Sequence, residues 1–137
     1  VGYEYLDISG DAGLRLSGST LEEVFKEAAV GMYSLITDID AVREEKEIRI
    51  ETESHSPEGL LVSWLNELIF QFDTYGFVGR RVDIEELGDR RIAARIAGEE
   101  FDPARHERRL LLKAATYHNM RLERRDGGWQ VEVIFDI

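Results

Sequence analysis

Two aspartates near opposite ends of the sequence are the residues best suited to hold a metal. Asp11 sits in a loop between Gly10 and Gly13, which permit unusual backbone angles and leave its carboxylate uncrowded. Asp136 is the penultimate residue, so its side chain stands beside the free carboxylate of Ile137. If the first and last strands are neighbours, the three carboxylates converge. Oxygen-only donors suit a hard divalent cation (calcium first, then magnesium or manganese), with water completing the shell. The competing reading is an acidic terminus that is simply solvated.

Other chemistry finds less support. No phosphate-binding GxxxxGK loop, GxGxxG turn, GxSxG elbow or HExxH helix is present. Of the three histidines, His55 lies beside a helix start and is expected to be an exposed loop residue. His118 falls within an expected strand, where a hydrogen-bonded structural role is the commoner case. His106 lies among Glu99, Glu100, Asp102 and Glu107, which makes it the best functional candidate of the three. The absence of cysteine excludes disulfides, thiolate zinc sites and a cysteine nucleophile, and it favours the cytoplasm.

The elements that position these residues follow from hydrophobic spacing. Tyr3–Asp7 and Gly13–Ser17 read as short strands. Ser19-Thr20-Leu21-Glu22 reads as a capping box, and Leu21, Val24, Phe25, Ala28, Met32, Leu35 and Ile36 give the buried stripe of a helix over 20–37. A strand over Lys46–Glu53 points Ile48, Ile50 and Thr52 to one face. Ser56-Pro57 opens a second helix, whose stripe from Leu60 to Phe72 ends near Tyr75-Gly76. A hairpin joins Val78–Leu87 to Arg90–Ala97. Gly98–Arg108 reads as a loop, Leu110–Glu123 as one long strand, and Asp126-Gly127-Gly128 as the turn into a last strand with Trp129, Val131, Val133 and Phe135 on one face. The fold class is α+β: two amphipathic helices packed on a mostly antiparallel sheet of six or seven strands.

Composition sets the outer bounds. A chain of 137 residues with 43% hydrophobic residues is expected to form one domain over 1–137, burying ~two-thirds of its unfolded surface. The formal net charge of −11 arises wholly in residues 1–76, which carry five basic and sixteen acidic side chains; residues 77–137 carry twelve of each. Such a balance suits a cation or a basic protein partner and argues against direct nucleic-acid binding. The strand arginines read more readily as a solvated sheet face than as an RNA contact. No apolar run approaches the ~20 residues that cross a bilayer, so neither a membrane span nor a signal peptide is expected. A monomer is favoured.

In order and spacing, several fragments together resemble the archease family. They are Tyr3-Glu4-Tyr5-Leu6-Asp7, Asp11 followed by Gly13-Leu14, and Gly18-Ser19-Thr20-Leu21-Glu22-Glu23 leading to Ala28-Ala29. They continue with Trp64-Leu65-Asn66-Glu67-Leu68-Ile69-Phe70, Gly98-Glu99 with Asp102 and His106, Lys113-Ala114-Ala115-Thr116-Tyr117-His118, and Phe135-Asp136-Ile137. The resemblance implies an SHS2-like strand-helix-strand-strand module with inserted strands. It also implies a protein that is not itself an enzyme and that activates an RtcB-type RNA ligase in tRNA splicing. Such a protein promotes guanylylation of the ligase's active-site histidine and multiple turnover. The implied metal ligands are Asp11, Asp136 and Ile137, with the cation usually taken as calcium. Asn66, Glu67, His106, Lys113 and His118 are the weaker candidates for partner contact.

Two departures from the family pattern stand out. The loop usually reads His-Thr-Ala-Asp, and here it is Ile8-Ser9-Gly10-Asp11; the strand motif usually has Glu before Val-Lys-Ala, and here Leu111 precedes Leu112-Lys113-Ala114. Both bear on metal binding and ligase contact rather than on fold. The rival readings are a chaperone-like binding module for RNA-modifying proteins and a metal-dependent phosphohydrolase using the same carboxylates.

Overall fold

A computed structural model describes residues 2–137, as two helices against eight strands in two antiparallel sheets. The α+β class stands, but the strands divide where a single sheet was expected. The first sheet runs β1 (Gly2–Leu6), β2 (Ala12–Gly18), β8 (Gly128–Asp136), β6 (Ala114–Thr116), with β7 (Glu123–Arg125) also paired to β8. The second runs β3 (Lys46–Glu53), β5 (Arg91–Glu100), β4 (Phe77–Leu87). Helices α1 (Leu21–Ile36) and α2 (Pro57–Tyr75) complete the fold.

Local chemistry sets the helix ends. Thr20, one residue later than the expected Ser19, is the cap of α1: its Oγ1 accepts from Glu23 N–H at 3.2 Å. Glu23 in turn accepts from the Ser19 N–H at 3.3 Å, so the reciprocal pair is shifted by one residue. At α2, Ser56 Oγ accepts from Gly59 N–H at 2.9 Å, Pro57 takes the first turn, and Gly76 closes the helix at φ 70°. Both helices bury their apolar stripes against the sheets. Phe25, Met32 and Tyr33 of α1 and Leu61, Trp64, Leu65 and Leu68 of α2 meet Leu14, Leu16, Val133 and Phe135 in one core cluster. Trp64 keeps its indole N–H satisfied by donating to Phe25 O at 3.0 Å.

The expected long strand over Leu110–Glu123 breaks into pieces, because its backbone bonds go elsewhere. Arg109 N–H donates to Ile36 O at 3.0 Å and Leu110 N–H to Leu35 O at 2.9 Å, so this segment caps the orphan carbonyls at the end of α1. Thr37 adds a hydroxyl bond to Glu107 O at 2.7 Å. Ala114–Thr116 then pairs with β8, before a turn at Tyr117–Met120 with Asn119 at φ 55°, and pairing resumes only at Glu123, the start of β7. The β4–β5 hairpin forms as expected, but β5 runs on to Glu100 into the expected loop. Gly98 faces Gly79 across that ladder, and a Cβ on Gly98 would collide with Val78 O, so this close approach requires glycine.

On the solvent face of the second sheet, Arg49, Arg81, Arg91 and Arg95 pair with Glu44, Glu47, Glu51, Asp83, Glu85 and Glu86. These half-exposed pairs add little stability in water, but they neutralise the strand arginines locally.

One buried group stands apart. Tyr33 is wholly buried, and its hydroxyl has no hydrogen-bond partner among the described residues; burial raises its pKa well above the ordinary tyrosine value. Tyr33→Phe removes an unsatisfied polar atom, so it is expected to leave stability unchanged or raise it by up to about 1 kcal/mol in urea unfolding. A loss of about 1 kcal/mol would instead reveal a hydroxyl bonded to buried water.

Candidate functional site

The register of the first sheet places the two singled-out aspartates at the same end of neighbouring strands. Strand β2 pairs antiparallel with β8, starting at Ala12 opposite Phe135. Asp11 directly precedes β2 and Asp136 ends β8, so the two aspartates flank the same end of this ladder. The neighbour of the last strand is therefore the second strand, not the first, and the β1–β2 loop still delivers Asp11 to the same end. That loop is closed by a bond from Asp11 N–H to Ile8 O at 3.3 Å, with Gly10 in the left-handed region at φ 82°. On the other side of β8, Ala114 pairs with Asp136, and Lys113 N–H donates to Asp136 O at 2.8 Å.

The chemistry of this end is that of a shallow oxygen-donor site. Asp11 is half-buried, while Asp136 and Ile137 are exposed. Among the described residues neither aspartate takes part in an ion pair. No group of three His, Cys, Asp or Glu side chains is arranged for a metal among them either. A cation here would draw on two carboxylates, the main-chain oxygens of Ile137 and water. That donor set fits a hard divalent ion and not a zinc centre built from nitrogen and sulfur. Ile8 lies against Gly13: a Cβ on that glycine would come 2.7 Å from Ile8 Cδ1. It acts as an apolar plug on the loop and supplies no ligand.

The weaker contact candidates separate on inspection. His106 is corrected: its side chain has 0% exposure and offers a partner no surface. Its Nδ1 accepts from Asp102 N–H at 2.8 Å, which places the proton on Nε2, the atom bonded to Glu99 Oε2 at 3.0 Å. Of the four carboxylates expected around it, Glu99 alone bonds its ring. Asn66 neither faces outward as a contact nor merely punctuates α2. Its Oδ1 accepts from Ala115 N–H at 2.8 Å and its Nδ2 donates to Ala115 O at 3.2 Å, pinning β6 to the helix. Glu67 is half-buried and accepts from Gln71 Nε2 at 3.0 Å. Lys113 is exposed beside Asp136, and His118 is exposed in the turn after β6, not within a strand.

The Archease protein family model matches residues 3–137. The chain belongs to this family. A protein archease of Methanopyrus kandleri is 36% identical, over 98% of this chain and 99% of the relative. The solution structure of Methanobacterium thermoautotrophicum protein 1598 superimposes with a TM-score of 0.81 at 37% identity, covering 99% of each chain. A Thermotoga maritima archease, described as a possible chaperone, has a TM-score of 0.65 at 20% identity over 98% of this chain and 96% of its own, and so speaks for the fold alone. In this archease no helix among the described residues is long and apolar enough to cross a membrane.

Two features of this archease escaped the sequence reading. One is the Glu99–Arg105–His106 cluster, hidden because nothing local marks a polar loop as buried. The other is the Asn66 clamp, whose only sequence signal is an amide in the middle of an otherwise apolar helix.

Proposed function

We propose that this archease is a non-enzymatic activator of an RtcB-type RNA ligase in tRNA splicing, acting from the end of the first sheet that carries Asp11 and Asp136. The single observation that supports this reading is the β2–β8 register, which carries two residues far apart in sequence to the same end of neighbouring strands. In this reading Asp11, Asp136 and the main-chain oxygens of Ile137 hold a divalent cation, calcium first. The ion would supply positive charge to offset phosphate during guanylylation of the ligase histidine. The chain's own part is to orient the two carboxylates on a rigid sheet end and to present them to a basic surface of the ligase. Lys113, exposed beside Asp136, belongs to that contact. The protein works as a single domain, as a monomer in the cytoplasm, without touching RNA.

The test is multiple-turnover ligation by an RtcB-type ligase with RNA in large excess, at fixed GTP and divalent metal. Wild-type protein is expected to convert single-turnover ligation to multiple turnover, and Asp11→Ala to abolish that gain with unchanged far-UV circular dichroism. An Asp11→Ala variant that stimulates as well as wild type would sink the metal role. No stimulation by wild type would sink the activator reading and leave a binding module. Nucleotide hydrolysis without ligase would overturn the non-enzymatic assignment.

A further inference from the structure

A second surface lies away from the paired aspartates, where the ends of the two helices meet the segment that follows β5. Ile36 closes α1, Phe72 and Gly76 close α2, and Phe101, Pro103, Leu110 and Leu111 complete the walls of a cavity of about 210 Å³. Its lining is mainly apolar. The volume falls below the ~300–1,000 Å³ of clefts that enclose a whole drug-sized ligand, so it suits one large side chain. The lip is apolar as well: Leu110 is 37% exposed and Leu111 65%. Leu111 costs the free protein an exposed leucine on an acidic chain.

The charge at the mouth selects the occupant. Of the three arginines on this segment, Arg105 is committed to Glu99 and Ala41 O, and Arg109 to Glu107 and Ser34 O. Arg108 differs: its guanidinium lies 5.7 Å from the centre of the Phe101 ring, and no carboxylate of the described residues pairs with it. A guanidinium over an aromatic ring keeps its in-plane N–H donors for a planar anion. An uncommitted cation beside an apolar hole, on a molecule of net charge −11, marks local complementarity to an acid.

We infer that this cavity is a docking site for a protein partner's peptide segment that inserts one leucine or aromatic side chain and sets an adjacent carboxylate on Arg108. The walls are fixed from beneath. Segment 101–110 is held by Glu99, by the bond from Phe101 N–H to Gly76 O at 2.7 Å, and by its caps on α1, so the pocket is preformed. This surface goes beyond the activator reading, and its test involves neither ligase nor metal.

The probe is a fluorescein-labelled octapeptide, Gly-Ser-Glu-Leu-Phe-Glu-Ser-Gly, titrated into the ¹⁵N-labelled full chain. Two control peptides carry Ala-Ala for Leu-Phe, or Lys for both Glu. The acidic apolar peptide is expected to shift amides of residues 72–76 and 101–111 in a saturable manner, and neither control to do so. Arg108→Glu, an exposed change that leaves the core untouched, is expected to weaken binding by at least about tenfold. Leu111→Glu is expected to weaken it also, with the spectrum otherwise that of wild type. No saturable shift, shifts elsewhere, or equal binding by Arg108→Glu would overturn the proposal. So would dimerisation through the same amides, which would make a second copy the occupant, or decanoate shifting them when the peptide does not, which would make it a free amphiphile.

Discussion

Replacing Glu99 by alanine is expected to lower the stability of this archease by about 3 kcal/mol, a large share of the ~5–15 kcal/mol that holds an ordinary domain together. The Glu99 side chain is 5% exposed and accepts from the Arg43 backbone N–H, from His106 Nε2 and from Arg105. Burial pushes its pKa up. The Arg43 N–H, the His106 ring and the Arg105 guanidinium outweigh that and hold the carboxyl below its ordinary 4.5. Truncation leaves the His106 N–H buried without its acceptor. Arg105, about a third exposed, can turn to water, which puts the loss at the low end of the ~3–5 kcal/mol for breaking a buried pair.

The pH dependence carries a definite sign. Because the folded pKa is depressed, Glu99 contributes its full stabilisation above pH 4.5 and loses it as pH falls through the lower folded value. The gap in urea midpoint between wild type and Glu99→Gln is therefore expected to narrow as pH falls below 4.5. A gap that widens as pH falls below 4.5 would contradict a Glu99 whose folded pKa is depressed. The loss also propagates. Segment 101–110 supplies the caps of α1 and one wall of the apolar cavity, so hydrogen exchange at Arg109 and Leu110 is expected to quicken in Glu99→Ala.

What was legible in the sequence divides along the reach of the interactions. Helix α2 was readable at both ends because Ser56, Pro57 and Gly76 act on backbone groups within a few residues of themselves. The start of α1 slipped by one because Ser19 and Thr20 both carry hydroxyls and Glu22 and Glu23 both follow at suitable distances; only the folded backbone distinguishes them. The segment Leu110–Glu123 was not readable as it folds. Its first bonds go to α1 and its middle to α2 and β8, and a three-residue strand has no periodicity to detect. Asn119 at a left-handed φ was a turn signal available and passed over. The division into two sheets is likewise a matter of long-range pairing. For the site, residue chemistry singled out Asp11 and Asp136, but which strand carries each to the same end of the sheet depended on which strand neighbours β8. His106 misled because a charged loop reads as exposed, and here one carboxylate and one backbone N–H draw the imidazole inside.

The same long-range logic gives Asn66→Ala the second large effect, about 2–3 kcal/mol confined to the edge of the first sheet. Asn66 presents an amide to Ala115 as a neighbouring strand would, accepting from its N–H and donating to its carbonyl. Ala115 is buried, so truncation orphans two backbone groups at about 1–3 kcal/mol each, with water at the sheet edge relieving part of the sum. Strand β6 has only three residues, and its other side is the ladder that holds Asp136. Loosening β6 therefore frees one flank of Asp136. The Ala115 amide is expected to exchange about 30–150-fold faster in Asn66→Ala, with the amides of α1 unchanged. Asn66→Asp, which keeps the acceptor but sets a carboxylate against the Ala115 carbonyl, should do no better than alanine. If Ala115 exchanges at the wild-type rate in both variants, pairing with β8 alone holds the strand, and the Asn66 amide is available to a partner after all.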